Sequence, residues 1–166
     1  MNRYLHTAIQ ALWQSSGLDW EFQRLRDAAG RVMPSLFDGA ADPGCKHPYC
    51  VFMQQGGFTQ SRDSGHNTSE KHEIRDVPLE FRVHANTRRG YERTAKQVAA
   101  DLADLIMQTF GGHPTAAKSP AALALTHGHV LLVQYQTDYG MREGDEEYAW
   151  VVSYLLRVDM PLAISA

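Results

Sequence analysis

Both cysteines of the chain lie in the stretch GCKHPYCVFMQQGG, with a histidine between them. Thiolate and imidazole groups are the usual ligands of structural zinc, which takes about four of them, commonly as two close pairs. Four residues lie between Cys45 and Cys50, a spacing that such a pair allows. The histidine pairs that could complete the set are His66 with His72 and His127 with His129. Neither pair has a diagnostic spacing, so a metal site is one interpretation of this stretch and a weak one.

A reactive thiol pair is a second interpretation, although redox pairs are typically separated by two residues. The third interpretation is structural: Cys50 is a small buried hydrophobe in a strand, and Cys45 is a loop residue. We favour the structural interpretation, because the metal site lacks a convincing second ligand pair. We therefore expect no bound metal.

Other catalytic patterns are equally weak. Ser61 and Ser64 stand in a polar stretch, and no GxSxG turn surrounds either of them. The segments GGFTQS and GGHPTA lack the glycine pattern and the lysine of a phosphate-binding loop. We therefore predict no catalytic residue and no cofactor, and the chain is not expected to be an enzyme.

Length and composition narrow the class of protein. The chain of 166 residues is predicted to form a single domain, 1–166, and its 43% hydrophobic and 21% charged residues are typical of a globular protein. A net charge of −3 provides no basic field for nucleic acid. No apolar run approaches the ~20 residues that span a bilayer, and the N-terminus is unlike a signal peptide. We expect a reduced, cytoplasmic protein.

The first half of the chain is predicted to contain two helices and two strands. Apolar spacing favours a helix at 3–15 and a second at 19–29, with Asp19 as its N-cap and Gly30 as its stop. A connector rich in proline and glycine, 34–48, leads to the strand PYCVFMQ. The polar segment 54–71 is expected to be a mobile loop. The segment EIRDVPLEFRVHA then alternates apolar and polar residues as a strand does, with Pro78 favouring an edge or a bulge.

The second half is predicted to contain one long helix and a hairpin. The helix is expected at 87–110, capped by Asn86 or Thr87 and ended by Gly111, with Leu102 and Ile106 on its apolar stripe. A connector at 113–128 precedes the strands HVLLVQYQTDYG and EEYAWVVSYLLRVDMPL, joined by a turn at 140–145. The last strand is apolar on both faces, which favours a central position. The predicted fold is an α+β two-layer sandwich: a mainly antiparallel sheet of about four strands with a long and an N-terminal helix packed on it.

The layout as a whole resembles a known family. An N-terminal helix leads through RVMPSLFDG to HPYCVFMQ, and VPLEFRVHA passes directly into NTRRGYERTAKQVAADLADLIMQTFGG. The chain then closes with HVLLVQYQTDYGMREGDEEYAWVVSYLLRVDMPL. This order, from about Arg3 to the C-terminus, is similar to that of the tail terminator (tail-completion, minor tail protein U-like) proteins of long-tailed bacteriophages and prophages.

The resemblance implies a structural role without catalytic residues. Such proteins form a six-fold ring on the end of the tail tube, stop its growth and offer a surface to the head connector. Implied partners are further copies of the chain in a hexamer, the tail-tube protein and the head-connector protein. Whether the free chain is a monomer before assembly stays open. DNA would pass through the ring without sequence-specific binding. The implied location is the host cytoplasm during assembly and then the virion tail.

We expect the subunit and tube interface to include residues of the polar segment and of the acidic hairpin turn: Phe58, Arg62, Lys71, Glu143, Asp145 and Glu146. Two alternatives stay open. One is a small metal- or thiol-dependent enzyme that uses Cys45, Cys50 and the histidines. The other is a regulatory domain that uses the sheet as a platform for a ligand.

Overall fold

The computed structural model describes residues 2–25, 34–56, 58–63, 71–87, 93–111 and 123–162. These residues form α1 (Asn2–Ser15), α2 (Leu18–Arg24), β1 (Leu36–Asp38), β2 (Tyr49–Gln54), β3 (Phe58–Asp63), β4 (Lys71–Asn86), α3 (Ala95–Phe110), β5 (His129–Arg142) and β6 (Glu147–Leu162). The strands make one mixed, mostly antiparallel sheet, and the helices share a core with one of its faces. The predicted α+β two-layer fold is confirmed. Among the helices in these ranges, none is long and apolar enough to cross a membrane.

The longest strands lie at the centre of the sheet. The order is β1-β2-β4-β6-β5, and β3 pairs with β4 beside β2. β4 and β6 are antiparallel over their whole lengths, from Lys71 opposite Leu162 to Asn86 opposite Glu147. β6 therefore has a strand on each side, as the two apolar faces of its sequence predicted.

The estimate of about four strands was too low. β1 has three residues, lies within the predicted connector and pairs in parallel with β2. β3 lies within the segment predicted to be a loop and pairs with residues 72–76 of β4. Its sequence, FTQSRD, has little apolar character, but backbone groups make the ladder, so a polar segment can complete a sheet beside a long strand.

Pro78 lies inside the sheet and not at an edge or a bulge. β2 pairs with β4 as far as Leu79, and β3 pairs with it from Asp76, so Pro78 stands where one partner strand gives way to the other. The carbonyl of Pro78 accepts a hydrogen bond from the N–H of Gln55, at 3.1 Å, in the connection between the two partners. Proline has no N–H to donate, and at this gap in the ladder neither partner strand would accept one. The lack of an N–H therefore costs the sheet little stability.

One hydrophobic core joins the helices to the sheet. The alternating side chains of β4 predicted to share a face, Val77, Leu79, Phe81 and Val83, are all buried in it. Trp13 of α1 stacks on Phe81 with 6.3 Å between ring centroids. From α3, Leu102 and Ile106 are 1% and 0% exposed, whereas Asp101 and Asp104 face solvent, as the predicted helix phase requires.

Three boundaries differ from the sequence predictions. Gly17, with φ of 81°, precedes α2, and the carboxylate of Asp19 accepts hydrogen bonds from the Ser35 hydroxyl and the Gln23 amide instead of capping the helix. α2 ends at Arg24, and residues 26–33 lie outside the described ranges. α3 begins later than predicted, because Thr94 and Gln97 form a capping box there.

The β5–β6 turn also lies further along the chain than predicted, since β5 continues to Arg142. Gly140 is a strand residue covered by two rings: a Cβ there would lie 2.5 Å from the Tyr148 hydroxyl oxygen and 2.8 Å from Cε3 of Trp150. Glycine is needed at this position because the rings occupy the space of a side chain. Gly111 does end α3 as predicted, with φ of 103° and its N–H bonded to the carbonyl of Met107.

The packing of α3 gives the first testable prediction. Leu102→Ala or Ile106→Ala should lower the free energy of unfolding by about 2–5 kcal/mol, because each leaves a cavity in the core. The matched control is Asp101→Ala, whose ion pair with Arg93 is exposed and should contribute less than about 1 kcal/mol. Urea denaturation of the three variants measures the difference. Equal losses for the leucine and the aspartate would contradict the assigned helix face.

Candidate assembly surfaces

The six residues predicted to form an interface do not make one patch. Phe58 and Arg62 lie in β3 and Lys71 begins β4, whereas Glu143, Asp145 and Glu146 form the β5–β6 turn. β3 pairs with the first residues of β4, and the turn adjoins the last ones. Ile74, opposite β3, is twelve residues from Asn86, which corresponds to about 40 Å at roughly 3.3 Å per residue. The two groups lie at opposite ends of the sheet.

The segment 54–71 is only partly the loop that its composition predicted. Gln54 ends β2, Phe58–Asp63 is a strand, and Lys71 already belongs to β4. Residues 64–70 and Gly57 lie outside the described ranges, as do the side chains of Phe58, Arg62 and Lys71. Because β3 is held by backbone pairing with β4, the expectation of a loop is wrong for residues 58–63. Mobility of the remaining segment stays a prediction.

Side-chain hydrogen bonds hold the β5–β6 turn at the other end of the sheet. Arg142 donates from Nε to the carbonyl of Gly144 at 2.9 Å and from Nη2 to the carboxylate of Asp145 at 3.1 Å. Glu143 pairs with His84 of β4, with 2.8 Å between Oε2 and Nδ1. The acidic side chain of Asp145 is fully exposed. The turn is therefore an anchored acidic projection.

His84 continues into an aromatic cluster on the sheet face opposite the helices. Its ring stacks on Tyr49 of β2, with centroids 4.8 Å apart, and Tyr49 meets Phe37 of β1 edge-on at 6.0 Å. Burial raises the pKa of the Tyr49 phenol, and the nearby charges of Cys45 and Glu143 raise it further. This cluster covers part of a sheet face on which no described helix packs.

We call the sheet face opposite the helices, which carries Tyr49 and His84, the open face. Two of its β6 residues, Ala149 and Val151, are completely buried beside larger neighbours on the flanking strands. Arg82 lies on the same face, and its Nε is buried without a hydrogen-bond partner among the described residues. On the open face, the small residues are thus covered by their neighbours, but the Nε of Arg82 has no hydrogen-bond partner among the described residues.

A groove of about 270 Å³ crosses the middle of the open face. Its lining residues are Gln55, Pro78, Leu79, Glu80, Gln136, Ser153, Tyr154 and Leu155. The groove follows the gap at Pro78, where β2 gives way to β3. Under the alternative hypothesis of a regulatory domain, this groove is where the sheet would bind a ligand.

The outer strand β5 carries most of the large hydrophobic side chains that are exposed in the described residues. Five large hydrophobic side chains are exposed in the described ranges, and only Trp20 among them lies elsewhere. The other four are Leu131, Leu132, Tyr139 and Met141. The sequence identified β5 as a strand, but only the strand order shows that it lies at the edge of the sheet. These residues are the candidate interface positions that the sequence interpretation missed.

Cys50 has the structural role that we favoured. It is completely buried in β2, and burial raises the pKa of its thiol well above the usual value. Cys45 is half-buried in the connector. No group of three or more histidine, cysteine or carboxylate side chains is placed to hold a metal within the described part of the chain.

The histidine pairs proposed as partners for the cysteines are not brought to them as pairs in the described structure. Only His129 of the second pair lies in β5, and the ring of His127 contacts Tyr4 of α1 at 4.9 Å. His66 and the side chain of His72 lie outside the described residues. The described histidine rings that contact aromatic residues of the stretch of Cys45 are those of His47 and His84, against Tyr49, and that of His6, against Phe52.

Similarity of this chain to known proteins comes from solved structures. No protein-family model matches this chain, and no curated protein matches it. Among solved structures, it is similar to a chain of the "Virion of native gene transfer agent (GTA) particle" at 17% identity. The likeness covers 87% of this chain and 93% of that chain, with a TM-score of 0.41. At this identity and TM-score, it carries no inference about function.

The two thiols should differ sharply in reactivity, because the thiolate is the reactive form and burial disfavours it. In the native protein a disulfide-exchange reagent should label Cys45 readily and Cys50 only after denaturation. Cys45→Ser should leave no rapidly reacting thiol, and Cys50→Ser should leave one. Rapid labelling of Cys50 in the native state would contradict its role as a core residue.

Proposed function

We propose that this chain is a structural subunit of a phage-like virion that forms a ring on the end of the tail tube. The ring ends polymerisation of the tube and presents the surface that joins the head. The proposal draws on the order of elements and motifs that resembles tail terminator proteins. It also draws on the geometry of the sheet.

The observation that carries the proposal is the separation of two unlike surfaces by the length of β4. The end at β3 is built from a backbone-paired strand, and the other end is an acidic turn anchored by Arg142 and His84. A subunit at a junction must contact the tube on one side and the connector on the other. About 40 Å of continuous sheet between two chemically different ends suits that task.

Charge is compatible with passage of DNA. Strongly basic groups would hold DNA by phosphate contacts, and these contacts strengthen as the salt concentration falls. The chain has a net charge of −3, and the arginines Arg82, Arg142 and Arg157 each pair with a carboxylate. Arg157 and Asp76 form two hydrogen bonds of 2.8 Å, which hold the guanidinium in place. Such a subunit would let DNA slide.

Deletion of the gene from its phage or prophage tests the proposal. Tails should then grow to uncontrolled lengths and fail to join heads, because nothing caps the tube. Electron microscopy of lysates measures tail length and the fraction of joined particles, with restoration of the gene as the control. Tails of normal length that join heads normally would overturn the proposed function.

A charge reversal tests the acidic turn itself. Asp145→Lys with Glu146→Lys should reduce head joining in the complemented deletion strain, while the free energy of unfolding changes by less than about 1 kcal/mol, since both side chains are exposed. The matched control, Asp42→Lys with Asp101→Lys, makes the same change of charge elsewhere on the surface. If the two double variants join heads to tails equally well, the turn is not part of the interface.

A further inference from the structure

The free edge of β5 is long and poorly protected. β5 has fourteen residues, pairs with β6 on one side, and has no described partner on the other. Proteins usually guard such an edge with lysine, proline or bulges, because its unpaired N–H and C=O groups can bind another strand. β5 contains neither lysine nor proline. Its two register shifts fall before Leu132 and before Thr137, which leaves Thr137–Arg142 as six regular residues.

The side chains along this edge favour contact with a protein surface. Tyr139 and Met141 are 46% and 38% exposed within the regular stretch, and Leu131 and Leu132 are exposed before it. Isolated apolar side chains on a surface are ordinary, but a group along one unpaired strand is typical of an interaction site. Main-chain pairing would supply affinity, and these side chains would be covered on pairing.

The charge of β5 is compatible with a second copy of this chain as the occupant. Two identical chains with net charge −3 repel each other over most of their surfaces. Along β5 the residues charged at neutral pH are Asp138 and Arg142, and both are engaged within the subunit. Asp138 accepts hydrogen bonds from Tyr135 and Trp150, and Arg142 binds the turn. The opposite charges of Asp138 and Arg142 cancel along the strand, so a like-charged copy can approach β5 without facing a net charge there.

The same chain also offers a recipient strand. β3 lies on the far side of the sheet, has six residues, and pairs with β4 alone among the described residues. Its length equals that of the regular stretch of β5. A contact between unlike edges of identical subunits is heterologous, and it generates closed rings when the rotation closes.

We propose that Thr137–Arg142 of one subunit pairs with the free edge of β3 in a second copy, so that the sheet continues from subunit to subunit. This deepens the proposed function by naming the contact between neighbours in the ring, and it rests on that function for the ring itself. The pairing can be tested in solution without phage. A phage in which deletion has no effect would therefore leave the solution result standing.

The experiment compares self-association of purified full-length chains by sedimentation velocity up to millimolar concentration. Wild type should associate beyond a dimer, and Tyr139→Lys with Met141→Lys should weaken association at least tenfold by adding charges that guard the edge. The matched control, Gln134→Lys with Gln136→Lys, adds the same charge to β5 outside the regular stretch and should associate like wild type. Thermal unfolding verifies that each variant is folded. If the lysine variant is not folded, the variant Tyr139→Glu with Met141→Glu takes its place.

A mixing experiment tests the partner strand. Thr59→Lys with Ser61→Lys guards β3, so this variant and the β5 variant should each remain monomeric alone. Mixed in equal amounts, they should form a dimer and nothing larger, because one intact edge of each kind remains. The proposal would be overturned if wild type stays monomeric or stops at a dimer. It would also be overturned if the control associates as weakly as the β5 variant, or if the mixture forms no dimers.

Discussion

The antiparallel ladder between β4 and β6 is the constraint on which the rest of the structure depends. It runs without a register shift from Lys71 opposite Leu162 to Asn86 opposite Glu147. Successive side chains of a strand point to opposite faces, so a slip by one residue would turn the core side chains of β4 toward the open face. The correct register places Phe81 against Trp13 and Phe110 and allows the three helices to share one core.

The ladder also determines which surfaces remain for other molecules. β4 and β6 occupy the centre, so each pairs on both sides, and the edges without a described partner belong to β1, to β5 and to the far side of β3. In the described part of the chain, the helices cover one face, whereas the other face is covered by its own aromatic and charged side chains, such as Tyr49 and His84. This long pairing thus separates the two ends of the sheet and leaves the edges of β5 and β3 and the open face, the features on which the assembly proposals rest.

Only some candidate site residues could be found from the sequence. The acidic turn was recognisable, because charged and glycine residues interrupt two apolar strands and turn chemistry is local. The pairing of Glu143 with His84 was not, since 59 residues separate the two in the chain. The exposure of Tyr139 and Met141 was equally hidden, because an apolar residue in a strand has the same sequence pattern whether its strand is central or at an edge. Strand order alone makes that distinction.

The sequence by itself determined the α+β class, the buried face of β4, the core stripe of α3 and the hairpin of β5 with β6. Each follows from a periodicity or a turn that neighbouring residues create among themselves. Only the tertiary structure decided that FTQSRD is a strand, that Pro78 lies in a gap of the ladder, and that Asp19 binds Ser35 instead of capping α2. These depend on backbone groups or side chains distant in the chain, and a local pattern contains no record of which distant partner will satisfy a hydrogen bond.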